Sequence, residues 1–223
     1  MRDLELNALG GPKRQISDAI ALGPGLALQG TRVRFKRNEE IFGEGEKADY
    51  VYRVVSGAVR TIRFSNDGRR QILGFHLPGD VFGIESSAEH TLSAEAVADA
   101  EIALVRRSLI DNAAAEDITA ARALVDLMRR QLQSAQEHAL VLGRKGAGER
   151  VAAFLLQLGS RVASAREIDL PMSRADIAAY LALTIETVSR AFTQMERDHT
   201  IDLPTSRHVV VRDRYALETL EAA

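Results

Sequence analysis

Glu186 and Arg190 stand four positions apart in Thr184-Ile-Glu-Thr-Val-Ser-Arg190. On a helix this spacing sets a carboxylate and a guanidinium side by side, one turn apart. A guanidinium can donate two parallel hydrogen bonds to the O6 and N7 of guanine, and a carboxylate can accept from the N4 amine of cytosine. Taken alone, the pair is an ordinary surface ion contact worth about 0.3 to 0.5 kcal/mol. Its surroundings argue for base reading, because Thr184, Thr187 and Ser189 add short hydroxyls that can donate to phosphate or base.

Such reading requires a helix held with one face outward, and the flanking residues provide one. Ser173 followed three residues later by Asp176 predicts a capping box with Asp in place of the usual Glu or Gln, opening a short helix that ends near Leu181. Ala182-Leu183 form a tight connection, and Thr184 offers a second N-cap whose helix continues through Ile185, Val188, Phe192 and Met195. Ile177, Leu181, Val188 and Phe192 can be buried together, which leaves Glu186, Thr187, Ser189, Arg190 and Thr193 outward. Two helices so joined are a helix-turn-helix, whose second helix enters the major groove. Downstream, Thr200–Leu203 and Arg207–Arg212 around Pro204-Thr205-Ser206 predict a two-stranded wing. There Arg207 and His208 either meet phosphate or are plain solvated turn charge.

Upstream the pattern changes twice. From Thr31 to about Arg107, short strands are expected at Arg32–Phe35, Tyr50–Val55, Ala58–Phe64, Gln71–Phe75 and Glu101–Val105. Turn signals separate them at Gly43-Glu44-Gly45, Ser56-Gly57, Asn66-Asp67-Gly68 and Pro78-Gly79-Asp80, as in a small antiparallel barrel or sandwich. From Ile118 to Leu142 a long helix is expected, with a seam through Leu124, Val125, Met128, Leu132, Ala135, Ala139 and Leu142. About 25 residues span about 37 Å, more than a small barrel needs, so the seam either covers the barrel or pairs with its copy on a second chain. Three glycines in Gly143–Gly148 mark the strongest domain boundary, and Glu149–Arg161 reads as an amphipathic helix. Leu4 to Leu28 reads as a weakly specified leader with one short helix.

Composition excludes more than it selects. The chain has 223 residues and no cysteine, which closes disulfides, thiolate metal ligation and cysteine nucleophiles. Lys and Arg number 29 against 31 Asp and Glu, and from Arg144 onward the balance is 11 to 11. No excess positive charge argues for nucleic acid, so that case rests on placed residues. No apolar run is long enough to span a membrane and the N-terminus is no signal peptide, which gives a cytoplasmic expectation.

Over nearly its whole length the sequence resembles the Crp/Fnr superfamily of bacterial transcription regulators, most closely the Fnr/FixK branch through Leu183-Thr-Ile-Glu-Thr-Val-Ser-Arg190. Gly43-Glu-Gly45, Val55-Ser-Gly57, Leu77-Pro-Gly-Asp80 and Gly83 look like the turn glycines of that family's β-roll. The resemblance implies an α+β chain. Its parts are a leader (1–30), a cyclic-nucleotide-binding-like β-roll or jelly roll (31–112), a long dimerisation helix (113–143) and a C-terminal winged helix-turn-helix (144–223). It implies a homodimer on double-stranded DNA, held together through Leu124, Met128, Leu132, Ala135 and Leu142. The site is a palindrome with TTGA/TCAA-type half-sites. Ile185, Glu186, Ser189 and Arg190 match the base-reading positions, with Ser173, Thr184, Thr187 and Arg207 as phosphate contacts or caps. Most members activate transcription by touching RNA polymerase.

The family's sensors fit this chain poorly. Cyclic-AMP-responsive members use a Glu and then an Arg-Ser pair after the glycine matched by Gly83, because a cyclic phosphate needs a bidentate cation. Gly83–Ala94 keeps Glu85 but has no Arg, and a phosphate would face Glu85, Glu89 and Glu95. Oxygen-sensing members hold an iron-sulfur cluster on cysteines that this sequence lacks. The expectation is therefore a FixK-like regulator without cofactor. The alternative is a haem- or other ligand-sensing regulator using the β-roll, with His76 as the candidate ligand. A cupin-like metalloenzyme would need clustered histidines, whereas His76, His90, His138, His199 and His208 are scattered. With no P-loop and no G-x-S-x-G turn, no enzyme activity is expected.

Overall fold

The computed structural model describes residues 16–64, 68, 70–143, 146–161 and 166–222. The expected leader up to residue 15, Asn66-Asp67 of one turn and Arg144-Lys145 of the glycine-rich boundary lie outside the described residues. Contacts divide the chain into one unit of Met1–Val59 with His76–Val125 and a second of Arg60–Phe75 with Asp126–Ala223.

The first unit is built on antiparallel strands. β1 (Ile16–Gly23), β2 (Leu26–Phe35), β3 (Glu40–Phe42) and β4 (Tyr50–Ser56) open the chain, and β7 (Val81–Phe82), β8 (Ser93–Ala96) and β9 (Ala100–Arg106) complete the unit. One sheet has the order β1-β2-β9-β4-β7, and β3 pairs with β8 elsewhere. Phe42, Tyr52, Val54, Phe82 and Ile102 form the core between strands. Two glycines secure the turns as expected. Gly57 has φ +82, and an added Cβ would meet the Asp99 carbonyl at 2.4 Å. Gly83 has φ +72, and its Cβ would meet the Tyr52 ring at 2.6 Å.

β1 and β2 correct the reading of a leader with a short helix. They form a hairpin in which Ile20 faces Leu28, and Ile20, Leu22 and Leu26 are buried. The alternation is too short and too alanine-diluted to stand out in the sequence. The reversal is made by Pro24-Gly25, where Gly25 takes φ +79.

After α1 (Arg107–Glu116) comes α2 (Ile118–Gly143), the expected long helix, and then α3 (Ala147–Gly159). The second unit holds Arg60–Phe75 of the hairpin of β5 (Val59–Phe64) and β6 (Arg70–His76) together with the C-terminal elements α4 (Arg174–Leu181), α5 (Ile185–Arg197) and α6 (Arg214–Ala222). A three-stranded sheet of order β10-β12-β11 joins β10 (Glu167–Asp169) to the hairpin of β11 (Ile201–Thr205) and β12 (His208–Val211). Val151, Phe154, Leu155, Ile177, Leu181, Val188, Phe192 and Leu217 lie in the interior of the head that α3 to α6 form. α1 falls in the stretch after Ser108 where alanine, leucine and arginine favour helix, while α6 was not expected from the sequence.

Candidate nucleic-acid interface

α4 begins where the sequence places it. Ser173 Oγ accepts from the Asp176 amide at 3.1 Å, and the Ser173 amide donates to Asp176 Oδ2 at 3.0 Å, which closes the capping box. Ala182 ends the helix in the left-handed conformation, φ 52 and ψ 46, and its amide donates to the Ala178 carbonyl. Arg150 of α3 donates to the Leu181 carbonyl at 3.0 Å and so satisfies an orphan carbonyl at that same C-terminal end of α4. Thr184 then caps α5, its Oγ1 accepting from the Thr187 amide at 3.2 Å.

α5 is strongly two-faced. Val188, Phe192 and Met195 are buried, whereas Ile185 (48% exposed), Glu186, Ser189, Arg190 and Thr193 lie on the solvent side. Thr187 is half-buried and its Oγ1 lies 2.9 Å from that of Thr184. The Arg190 guanidinium reaches toward Thr187 Oγ1 at 3.5 Å. Glu186 sits in the first turn, where the helix end favours negative charge. Its own backbone amide, the Thr184 hydroxyl and the Arg190 charge hold its carboxyl below the usual range, so it remains an acceptor at neutral pH.

Supporting residues that sequence reasoning missed lie just behind this face. The Arg174 guanidinium stacks 3.2 Å from the centre of the Phe192 ring, and burial lowers its pKa to about 10. Arg150 and Arg174 carried no signal beyond being charged. In the wing, Arg207 is exposed at the β11–β12 turn while its backbone is tied by Leu170 N–H to its carbonyl at 2.8 Å. His208 Nδ1 lies 2.7 Å from Asp169 Oδ1.

The expected seam of α2 is outward in its middle. Val125, Met128, Leu132 and Ala135 are exposed, with Leu124 and Leu142 half-buried, while Ala120, Ala123, Leu127 and Val141 are buried on a different face. In the roll, Glu85 accepts from Thr91 Oγ1 at 3.1 Å and lies 3.5 Å from Nδ1 of His90. The His90 ring stacks on Phe42 at 3.7 Å, and burial lowers its pKa despite the nearby Glu85. His76 stacks on Phe82 at 4.9 Å. Among the described residues no group of three His, Asp or Glu is placed to hold a metal ion, and no helix is long and apolar enough to cross a membrane.

Comparison with known proteins assigns both parts. The model of the Crp-like helix-turn-helix domain matches residues 149–220, and that of the cyclic nucleotide-binding domain matches residues 32–117. The nitrogen fixation regulation protein FixK of Azorhizobium caulinodans is 49% identical over 202 residues, covering 88% of this chain and 82% of that protein. The FixK of Rhizobium meliloti is 40% identical over 211 residues, covering 93% of this chain and 96% of its own. The solved structure of FixK2 from Bradyrhizobium japonicum superposes with a TM-score of 0.84 at 49% identity, over 88% of this chain and 99% of that one. Capped helices, turn glycines and relatives matched over most of their length agree: the chain belongs to the Crp/Fnr family of DNA-binding transcription regulators, on its FixK-like branch.

Proposed function

We propose that the chain is a homodimeric transcription activator, without catalytic turnover, that acts in the cytoplasm on a palindromic TTGA/TCAA-type site. Two copies of α5 enter successive major grooves about 34 Å apart. Glu186 and Arg190 read a cytosine and a guanine at neighbouring pairs, and Ile185 and Ser189 complete the contact with base edges. Ser173 and Thr184 are caps first, and Thr187 Oγ1 lies beside that of Thr184. Thr184, Thr187 and Arg207 border the phosphate backbone, which supplies most of the salt-dependent affinity. Residues 113–143 hold the two chains together, 144–223 form the reading head, and bound dimers touch RNA polymerase. The roll of residues 31–112 does its work without cyclic nucleotide or iron-sulfur cluster.

One observation carries the reading. Glu186 and Arg190 project from α5 on the face opposite buried Val188, Phe192 and Met195, with Glu186 ionised and neither side chain required by the core. Selection of bound duplexes from a random pool, by the parent and by Arg190→Ala, tests it. The parent enriches a two-fold symmetric site, and Arg190→Ala loses about 1 to 3 kcal/mol per half-site with relaxed choice at the guanine. A variant as selective as the parent removes Arg190 from the reading.

A further inference from the structure

Asp176 is one of the few buried charges among the described residues, and its partners come from far away in the sequence. Its side chain is 6% exposed. Arg60 of β5, itself 7% exposed, donates from Nη1 to Asp176 Oδ1 at 3.0 Å, and Arg70 of β6 donates from Nη2 to the same oxygen at 2.7 Å. The other oxygen, Oδ2, accepts from the Ser173 amide at 3.0 Å and from Ser173 Oγ at 2.7 Å. A capping box needs only the bond from the Ser173 amide to Oδ2 and the one from the Asp176 amide to Ser173 Oγ, and α4 would be capped without any guanidinium. Arg70 keeps 31% of its side chain exposed, but removing the Arg60 guanidinium and the Asp176 carboxylate from water is costly, and a buried ion pair is often no more stable than apolar residues of the same volume. What the triad adds is a fixed geometry.

The same hairpin grips α4 again one turn later. Gln71 Nε2 donates to the Ala179 carbonyl at 2.9 Å, and the Phe75 ring lies 5.1 Å from that of Tyr180. Arg161 donates to the Phe75 carbonyl at 3.3 Å, and Phe154 meets Phe75 edge-on at 6.3 Å. Contacts at Asp176 and at Ala179–Tyr180 fix the rotation of α4 about its axis as well as its position. Only Ala182, Leu183 and Thr184 separate α4 from α5, and Ile177, Leu181, Val188 and Phe192 are fully buried in the head.

We propose that Arg60 and Arg70, through Asp176, are positioning residues for DNA reading: the β5–β6 hairpin holds α4, and through it α5, at the angle at which Glu186 and Arg190 meet base edges. The proposal rests on α5 being the reading helix. It separates two kinds of loss. A phosphate contact removed from the surface weakens all duplexes alike, whereas a tilted α5 loses the correct base pair more than the wrong one.

The test uses the full chain with Arg70→Gln, Asp176→Asn and the double variant. Asp176→Asn keeps an oxygen for the capping box. Arg70→Lys keeps a cation and serves as the conservative control. Binding is measured to the selected duplex and to one with the guanine facing Arg190 replaced, at a temperature where circular dichroism shows every variant folded. Amide hydrogen exchange is followed on the free proteins. Each single variant is expected to lower the preference for the selected duplex by about fivefold or more, and the double by no more than the worse single. Arg70→Lys recovers most of the preference, and exchange in α4 and α5 rises in Arg70→Gln ahead of the sheet of the first unit. Equal weakening on both duplexes, or losses that multiply in the double variant, would overturn the proposal. A parent that selects no duplex would sink the base-reading assignment. Exchange then decides alone whether the β5–β6 hairpin holds α4, and unchanged protection of α4 and α5 in Arg70→Gln overturns the proposal.

Discussion

His138 lies on α2 with its ring stacked on Tyr180 at 4.0 Å, half-buried, and its Nδ1 is enclosed without a hydrogen-bond partner. Burial keeps its folded pKa below the ordinary value of 6.5. Below 6.5 the unfolded chain takes up a proton that the folded chain refuses. Stability is therefore complete above that pH, declines as pH falls toward the folded pKa, and levels off beneath it. His90 acts in the same direction, because burial outweighs the pull of Glu85 on its proton. Asp176 acts in the same direction at lower pH. Burial alone would raise its pKa, but Ser173, Arg60 and Arg70 hold it below the carboxylate range, so its contribution is lost only in strong acid. Thermal melts between pH 7.5 and about 5 should fall for the parent and fall less for His138→Phe, which keeps the ring stack without the proton. Parallel curves would remove His138 from the acid sensitivity. At this scale the sequence shows what is local. Glu186 and Arg190 lie within one turn of each other and are legible, whereas Arg60 and Asp176, 116 residues apart, meet only after folding.

Helix ends explain why the reading head was legible and parts of the roll were not. Ser173 with Asp176, and Thr184 before Ile185, are side chains that bond their own backbone, so type and spacing alone locate α4 and α5. β3 and β7 have three and two residues, too few for a period of two to register, so the strand pattern that revealed β2, β4, β5, β6 and β9 passes over them. The turn between α4 and α5 has one residue at odds with its own preference. Ala182 sits at φ 52, where a Cβ crowds the following carbonyl at a cost of about 1 kcal/mol that glycine escapes. Its side chain is exposed and leaves little packing to lose. Ala182→Gly should therefore stabilise the fold slightly, by up to about 0.5 kcal/mol once the greater freedom of unfolded glycine is deducted, and raise the melting temperature accordingly, with selection at the guanine unchanged. Calorimetric melts of the two proteins decide the sign, and a lower melting temperature would show that Ala182 is not strained.

At the scale of the whole molecule the question is what α2 does with two apolar stripes. Ala120, Ala123, Leu127 and Val141 recur at helical spacing on one face and are buried within the chain. Val125, Met128, Leu132 and Ala135 recur on another and are exposed, Leu132 at 61%. The sequence showed a seam but not which of its members the chain itself would cover, since both stripes read as apolar residues three and four apart. The structure separates them, and the outward stripe has the spacing of a two-helix seam. A protomer leaving it in water would expose an apolar strip along much of a 26-residue helix. Because Leu132 is exposed within the protomer, Leu132→Asp should leave each chain folded and act only on association. Sedimentation should show a monomer where the parent is expected to sediment as a dimer, and any concentration dependence of the parent's melting temperature should vanish. Affinity for the full palindrome should drop by about a hundredfold or more, because the second half-site no longer binds as an intramolecular event. Affinity for an isolated half-site, read by one α5 alone, should stay near that of the parent. A Leu132→Asp chain that sediments as a dimer would move the interface off this seam while leaving the reading helix untouched.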